Sequence, residues 1–405
     1  MKVLITGGAG FIGSTIASAL IDAGLTPVVL DNLSSGREEF TAGRIFYRGD
    51  IGDGTLVDEI FAEHPEITAV VHCAGLIVVP ESVREPLRYY RENVSKSIDM
   101  IEHLTRNGCR RIVFSSTAAL YRATADMTVD ENSPTQPLSP YARTKAFVED
   151  ILADCAAAGE LKAISLRYFN PIGADPQMRT GLQVKNPSHA LGRMIKAYEA
   201  GEPFAITGVG WPTRDGTAIR DYLHIWDLAE AHVAALMRFD DVVATSPSGY
   251  VVINIGGGKG TTVYELLNDF NVVIDAEMPY QTAGRRPGDI LGAYTRTERS
   301  ARLLGWVPKL TIEDGIRHAL EWRSRDRGGL SEADTQPPAA AGPALAVPPT
   351  TPLPSTTQRV ATTPLPPPPQ LASPLPPTTP FPPATSFPPV GDGGADADLG
   401  ARTRA

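Results

Sequence analysis

Lys2–Thr6 is a short apolar run that stops at Gly7-Gly8-Ala9-Gly10, and from Phe11 to Ala23 the apolar residues recur at helical spacing. That change of period predicts a strand, a tight turn and a helix. Further apolar runs at Pro27–Leu30, Ile45–Tyr47, Ala69–Cys73, Arg111–Ser115 and Ala163–Arg167 predict five more strands. Pro86–Asn107 has the pattern of a long amphipathic helix, and Pro140–Ala158 that of another. Strands alternating with helices of this length predict an α/β fold built on a parallel, doubly wound sheet with right-handed crossovers.

After about residue 170 the rhythm changes. Ser188–Ala200, Trp226–Phe239 and Ile312–Arg323 have helical spacing, and Phe204–Thr207, Ala218–His224 and Val251–Ile255 are short strand candidates. Gly256-Gly257-Gly258 and Gly284–Gly288 mark loops. The expected organisation is a nucleotide-binding domain over residues 1–170 and a smaller α+β substrate-binding lobe over 171–330, interleaved with the first. That lobe should cover the carboxyl edge of the sheet, where open α/β sheets bind ligands.

Composition separates a third region. Residues 331–405 hold 20 of the 36 prolines, among Thr, Ala and Ser, with no hydrophobic period. Such a segment cannot bury enough apolar surface to offset its ordering entropy, so a disordered or locally polyproline II tail is expected. Its PxxP-like spacing leaves a recognition surface open as the alternative to a non-binding tail.

The formal charge is −9, from 37 basic and 46 acidic residues, without a Lys/Arg block. Nucleic acid and anionic membrane are therefore not expected partners. Cys73, Cys109 and Cys155 are odd in number and far apart, which fits free thiols in a reducing compartment. With no signal-like N-terminal segment and no apolar run of about 20 residues, the expectation is a cytoplasmic protein. No metal is called for.

Gly7, Gly10 and Gly13 follow the first strand and open the first helix, with Phe11 and Ile12 between the last two. In a Rossmann-type unit such glycines allow the tight turn, let the backbone approach a pyrophosphate, and pack the helix against the strand. The helix N-terminus then offers unpaired N–H groups to the phosphates. Asp31 ends the second strand, where a carboxylate accepts hydrogen bonds from ribose hydroxyls and repels a 2′-phosphate, favouring NAD over NADP. Asp50 and Ile51 are a second, weaker adenine-side candidate. The spacing GxxGxxG differs slightly from the common GxGxxG.

Tyr141 and Lys145 stand four apart on a predicted helix and share a face. The pattern occurs by chance in many helices, but here it follows the strand end Phe114-Ser115-Ser116-Thr117, which borders the nicotinamide position of a doubly wound sheet. A phenol titrates near 10. A neighbouring ammonium and a cationic nicotinamide would favour the phenolate, making Tyr141 a base at neutral pH. Thr117 could bond the same substrate hydroxyl.

These motifs carry a resemblance. Residues 1–330 resemble the extended short-chain dehydrogenases, and within them the UDP-glucose 4-epimerases. The matching stretches are Val3–Gly13, Asp31-Asn32-Leu33, Val71–Leu76, Glu81-Ser82-Val83, Tyr89–Val94, Phe114–Thr117, Tyr141–Lys145 and Leu166–Gly173. In the second lobe they are Asp215–His224, Asp227-Leu228-Ala229, Asn254-Ile255-Gly256 and Arg285–Asp289. The resemblance implies bound NAD, a UDP-sugar substrate, Tyr141 as proton acceptor with Lys145 as its electrostatic partner, and Thr117 as the family's Ser/Thr hydroxyl. It implies that Asn32, Ala74, Gly75, Leu76, Asn93 and Phe169 line the cofactor. Asn170, Arg220, Arg286 and Asp289 would hold the nucleotide sugar, and guanidinium forks suit a pyrophosphate. It also implies a homodimer through Pro86–Asn107 and Pro140–Ala158.

Some positions depart from that pattern. Arg122 follows Tyr121 where Gly is common, Ile77 replaces a common lysine, and Asn186-Pro187-Ser188-His189 replaces an Asn-Asn-Leu run. Ala293 aligns with a position where bulk limits the hexose pocket, so room for a 2-acetamido group is expected. A 4,6-dehydratase would carry Asp-Glu after the Ser/Thr, whereas Ala118 and Ala119 stand here. A non-enzymatic NAD-binding regulator is the rival of another class, and such relatives usually lose the tyrosine or lysine kept here.

Overall fold

The computed structural model describes residues 1–122, 124–184, 187, 189–285 and 291–329. The first half runs β1 (Lys2–Thr6), α1 (Phe11–Asp22), β2 (Thr26–Asp31), β3 (Ile45–Arg48), α2 (Gly54–Glu63), β4 (Ile67–His72), α3 (Val79–Arg84) and α4 (Pro86–Tyr90). It continues with α5 (Lys96–Arg106), β5 (Arg111–Ser115), β6 (Thr128–Val129), α6 (Pro140–Ala157) and β7 (Lys162–Tyr168). The second half runs β8 (Asn170–Ile172), α7 (Ala190–Ala200), β9 (Phe204–Thr207), β10 (Ile219–His224), α8 (Ile225–Met237), α9 (Phe239–Val243) and β11 (Tyr250–Ile255). It ends with β12 (Gly260–Thr262), α10 (Val263–Ile274), β13 (Tyr280–Ala283), β14 (Tyr294–Thr295), α11 (Glu298–Leu304) and α12 (Ile312–Gly329).

Seven strands form one sheet in the order β11-β7-β5-β4-β1-β2-β3, and every neighbouring pair is parallel. The chain winds outward from β1 through β2 to β3, then crosses back to β4, so the direction of winding reverses between β1 and β4. Thr6 pairs with Leu30 on one side and His72 on the other, which brings the turns after β1 and β4 side by side at that reversal. Strands buried on both faces are nearly continuous apolar runs. Val3, Leu4, Ile5, Val28, Val29, Val70 and Val71 are all fully buried. One face packs against α1 and α8 through Ile16, Leu20, Leu228 and Ala231. The other packs against α2, α5 and α6 through Ile60, Met100, Leu104 and Leu152.

The expected helix over Pro86–Asn107 is interrupted. Arg91–Ser95 forms a π-helical turn between α4 and α5. Such single turns insert a residue and re-aim a side chain, and here Asn93 is turned into the protein. The smaller lobe is also less separate in space than in sequence. β11 lies at the edge of the large sheet beside β7, and α8 packs against α1. What remains above the carboxyl edge is a cluster centred on Phe204, Tyr222, Leu266, Phe270 and Ile316.

Several elements escaped the reading of periodicity. α10 had a legible start: Thr262 accepts from the Glu265 backbone N–H, and the Glu265 carboxylate reaches back to the Thr262 N–H, a complete capping box. β6, β12 and β14 are two or three residues long, too short to show an alternation. The expected tail over 331–405 lies outside the described residues.

Candidate active site

The three glycines meet different surroundings. Gly7 sits at φ +69°, and a Cβ there would stand 2.7 Å from Ala74 N in the neighbouring turn. Gly13 packs α1 onto the turn so closely that a Cβ would come within 2.2 Å of Gly7 O. These two glycines are needed by the protein itself. Gly10 is not: its nearest neighbour would be Gly7 O at 3.4 Å, an ordinary contact. Gly10 is also the N-cap of α1 and caps it with no side chain. The N–H groups of the first helical turn therefore face open space beside a backbone without Cβ, which is an anion cradle. Phe11 and Ile12 lie half-buried at its mouth.

Asp31, at the end of β2, is buried and accepts from Ala9 N (2.9 Å) and Leu33 N (2.8 Å). Its carboxylate is thereby locked beside the glycine turn. Asn32 donates to Asp50 at 3.0 Å, and Lys96 donates to the same carboxylate at 2.7 Å. Burial alone would raise the Asp50 carboxyl, but the bonds from Lys96, Gly52 N and Asn32 outweigh it and hold it below its ordinary value. Ile51 next to it is buried. Asp31, Asn32, Asp50 and Ile51 thus form one rim around the ends of β2 and β3.

Opposite that rim, Thr117 follows β5 and Tyr141 opens α6, both nearly buried at 8% and 7% exposure. The Thr117 hydroxyl lies near enough to the phenol to favour its ionised form. α6 starts where it does because Ser139 accepts from Ala142 N and Pro140 occupies the first turn. Burial pushes the Tyr141 phenol up, and Thr117 offsets only part of that. The Lys145 ammonium donates to Ser115 O (2.9 Å) and lies over the Phe114 ring (4.7 Å). Burial pulls Lys145 down to about 8.

Asn93 commits its whole amide to the protein. It accepts from Leu76 N (2.7 Å) and donates to Leu76 O (2.9 Å) and to Thr144 (3.0 Å). It clamps the Ala74-Gly75-Leu76 turn, where Gly75 lies at φ +151°, onto α6 one residue before Lys145. Phe169 is half-buried between β7 and β8, with its N–H on Ile255 O.

A cavity of about 320 Å³ opens beside Phe11 and Ile12 and runs to Asn170, Arg220, Arg193 and Trp211. Tyr141, Thr117 and Lys145 are not among its lining residues. The cavity size suits a small-molecule ligand. Arg220 donates to Ile219 O (2.7 Å) and Leu291 O (3.0 Å), and Arg285 stacks on Trp211 at 3.7 Å. Arg286 and Asp289 lie outside the described residues. Ala293 is half-buried just beyond Gly292, whose Cβ would strike Arg220. Ile77 also lines the cavity and is 60% exposed. The sequence reading missed Arg193 and Trp211, the former on α7 where a 3.6-residue period from His189 would have put both on one face.

The profile of the NAD dependent epimerase/dehydratase family matches residues 3–256. The chain belongs to that family. It is 42% identical over 324 residues to UDP-glucose 4-epimerase of Azospirillum brasilense, covering 79% of this chain and 91% of the relative. Its fold is similar to UDP-glucose 4-epimerase of Stenotrophomonas maltophila with bound NAD and formylated UDP-arabinopyranose, with TM-score 0.76 and 34% identity over 81% of this chain and 99% of that one. It is likewise similar to the Bifidobacterium longum enzyme in complex with NAD+ and UDP, with TM-score 0.74 and 32% identity, covering 82% of this chain and all of that one. The family's cofactor fits the residues here: the open Gly10 cradle suits a pyrophosphate, and the fixed Asp31 carboxylate suits a ribose diol.

Substitutions at Gly13, Gly10 and Lys145 test this site. Gly13→Ala should lower the melting temperature markedly, since overpacking against backbone costs about 1–3 kcal/mol. Gly10→Ala should cost about 1 kcal/mol or less yet weaken NAD retention in purified protein; wild-type retention would contradict the cradle. For Lys145, the folded form binds its proton less tightly than the unfolded chain, so stability rises with pH between about 8 and 10.5. Lys145→Met removes a buried charge and should melt at or above wild type at pH 7, while turnover falls about 10²–10⁴-fold.

Proposed function

We propose that this enzyme interconverts UDP-glucose and UDP-galactose by transient oxidation at C4, with NAD as its cofactor and Tyr141, Lys145 and Thr117 handling the proton. The observation that supports this reading is that Thr117 and Tyr141, both nearly buried, stand at the end of β5 and the start of α6, β5 being the strand next to β4 in the sheet. NAD, when bound, supplies an acceptor for the C4 hydride and gives the same hydride back.

In this reading Tyr141 takes the proton from the sugar 4-hydroxyl and later returns it to the 4-keto carbon's oxygen. Thr117 positions that hydroxyl beside the phenol. Lys145 provides the positive charge beneath, which favours the phenolate over the phenol that burial otherwise prefers. Arg220, Arg286 and Asp289 hold the UDP end, and Asn170 the sugar side. The hexose must turn between the two hydride steps, so the nucleotide carries most of the binding.

Dehydration in place of epimerisation needs an acid and a base next to Thr117. Ala118 and Ala119 supply neither. A purely regulatory NAD-binding role would leave the buried tyrosine and lysine without a task. The small side chain of Ala293 supports turnover of UDP-GlcNAc as well. The unpaired Cys73, Cys109 and Cys155 suit a reducing, cytoplasmic setting.

We also read the protein as a homodimer. Leu87 on α4, Val83 on α3 and Phe147 on α6 are 69%, 63% and 46% exposed, on elements that pack together, with Tyr90 against Phe147 at 5.8 Å. Contiguous apolar surface of this kind marks an interface.

Purified protein should convert UDP-galactose without added NAD, and Tyr141→Phe should lose about 10²–10⁴-fold. UDP-GlcNAc should be turned over too; complete refusal at high enzyme concentration would overturn the Ala293 argument. Leu87→Glu should sediment as a monomer where wild type sediments as a dimer.

A further inference from the structure

Below Tyr141 lies a second set of charges that proton transfer does not use directly. Glu149 stands one turn beyond Lys145 on α6 and is 5% exposed. Its carboxylate forms a two-pronged pair with Arg167 of β7, with Nε at 2.9 Å from one oxygen, and it accepts from the Ser116 hydroxyl. Arg167 also donates to the Tyr121 hydroxyl at 3.1 Å, which donates to Asn254 Oδ1 of β11 at 2.6 Å. The unit thereby ties α6, β7 and β11 to Ser116 at the end of β5, the residue before Thr117.

The groups facing Lys145 come from three elements. They are Ser115 O and Phe114 on β5, His72 and Cys73 at the end of β4, and Glu149 on α6, with Tyr168 of β7 against Cys73 and Tyr141. Burial, with Lys145 adding to it, takes His72 down to about 3, and burial takes Cys73 up to about 11. Tyr168 is held well above its ordinary value by burial. At neutral pH these three are uncharged. Two groups would raise Lys145 by a negative charge, Cys73 first and Glu149 second; burial keeps the Cys73 thiol protonated at neutral pH, which leaves Glu149.

We propose that the buried Glu149–Arg167 pair is a positioning unit for catalysis, which fixes Thr117 through Ser116 and keeps the Lys145 ammonium charged. The count of charge makes this specific. Lys145, Arg167 and Glu149 together leave one net positive charge under the phenol. Removing Glu149 leaves two unbalanced cations in the same buried floor. Removing Arg167 leaves Lys145 with an unshared carboxylate. The two changes break the same ion pair but act on Lys145 in opposite senses.

That opposition is the test, and it rests on the epimerase reading above. The pH dependence of kcat on UDP-galactose is measured for wild type, Glu149→Gln and Arg167→Met, with melting curves for each. Loss of a nearby opposite charge moves a titration by about one unit or more. The alkaline limb of kcat should move to lower pH in Glu149→Gln and to higher pH in Arg167→Met, with KM within about twofold of wild type in both. A merely structural pair would lower the melting temperature in both variants and leave the limb where it was; that result overturns the proposal. Should either variant fail to fold, Ser116→Ala breaks only the tie to the strand end. It should lower kcat with KM and the limb unchanged, and a wild-type kcat there overturns the positioning of Thr117. Wild-type protein with no turnover on any UDP-hexose would instead bring down the functional reading itself.

Discussion

The turn after β1 and the turn after β4 meet with no space for a side chain between them. Gly7 is held at φ +69° against the backbone of Ala74, and Gly13 presses α1 onto Gly7 from the other side. Parallel pairing of β1 with β4 at the reversal of the winding enforces this approach, because Thr6 and His72 are direct partners. The consequence is a fixed crevice whose walls are backbone rather than side chain. One wall is the bare N-terminus of α1, and the other is the Ala74-Gly75-Leu76 turn clamped by Asn93. Any dinucleotide that lies along it is positioned by main-chain geometry, which does not relax as side chains do.

Charge is the second constraint. The protein buries an ammonium at Lys145 with a carbonyl, an aromatic face and, one helical turn away, the Glu149 carboxylate around it. Burying a cation in this way costs stability unless partners offset it. Burial works against the charged forms of both Lys145 and Tyr141, so each residue is strained toward neutrality, and the site is poised to move a proton. Stability and activity therefore pull in opposite directions at the same few residues.

Much of this was legible in the chain. The glycines, Asp31, Thr117, Tyr141 and Lys145 fall at strand ends and helix starts that periodicity alone locates. The α10 capping box was also written in Thr262 and Glu265. Other features were not legible for physical reasons. The π turn at Arg91–Ser95 has helical composition throughout, so only its hydrogen bonds reveal that Asn93 faces inward. The return of β11 to the large sheet depends on pairing with β7, a long-range choice that a six-residue apolar run does not specify. Glu149 was within reach, since it continues the Tyr141–Lys145 face by one more turn, but its partner Arg167 comes from a strand whose side-chain direction the sequence leaves open.

The central claim is that hydrogen leaves C4 as hydride and returns to the same carbon within one bound complex. The most direct measurement is conversion of UDP-glucose carrying deuterium at C4, run in ordinary water, with the product's C4 examined by mass spectrometry and NMR. The account predicts UDP-galactose with deuterium retained at C4. Hydrogen from solvent at that carbon, or loss of water from the hexose, would contradict it.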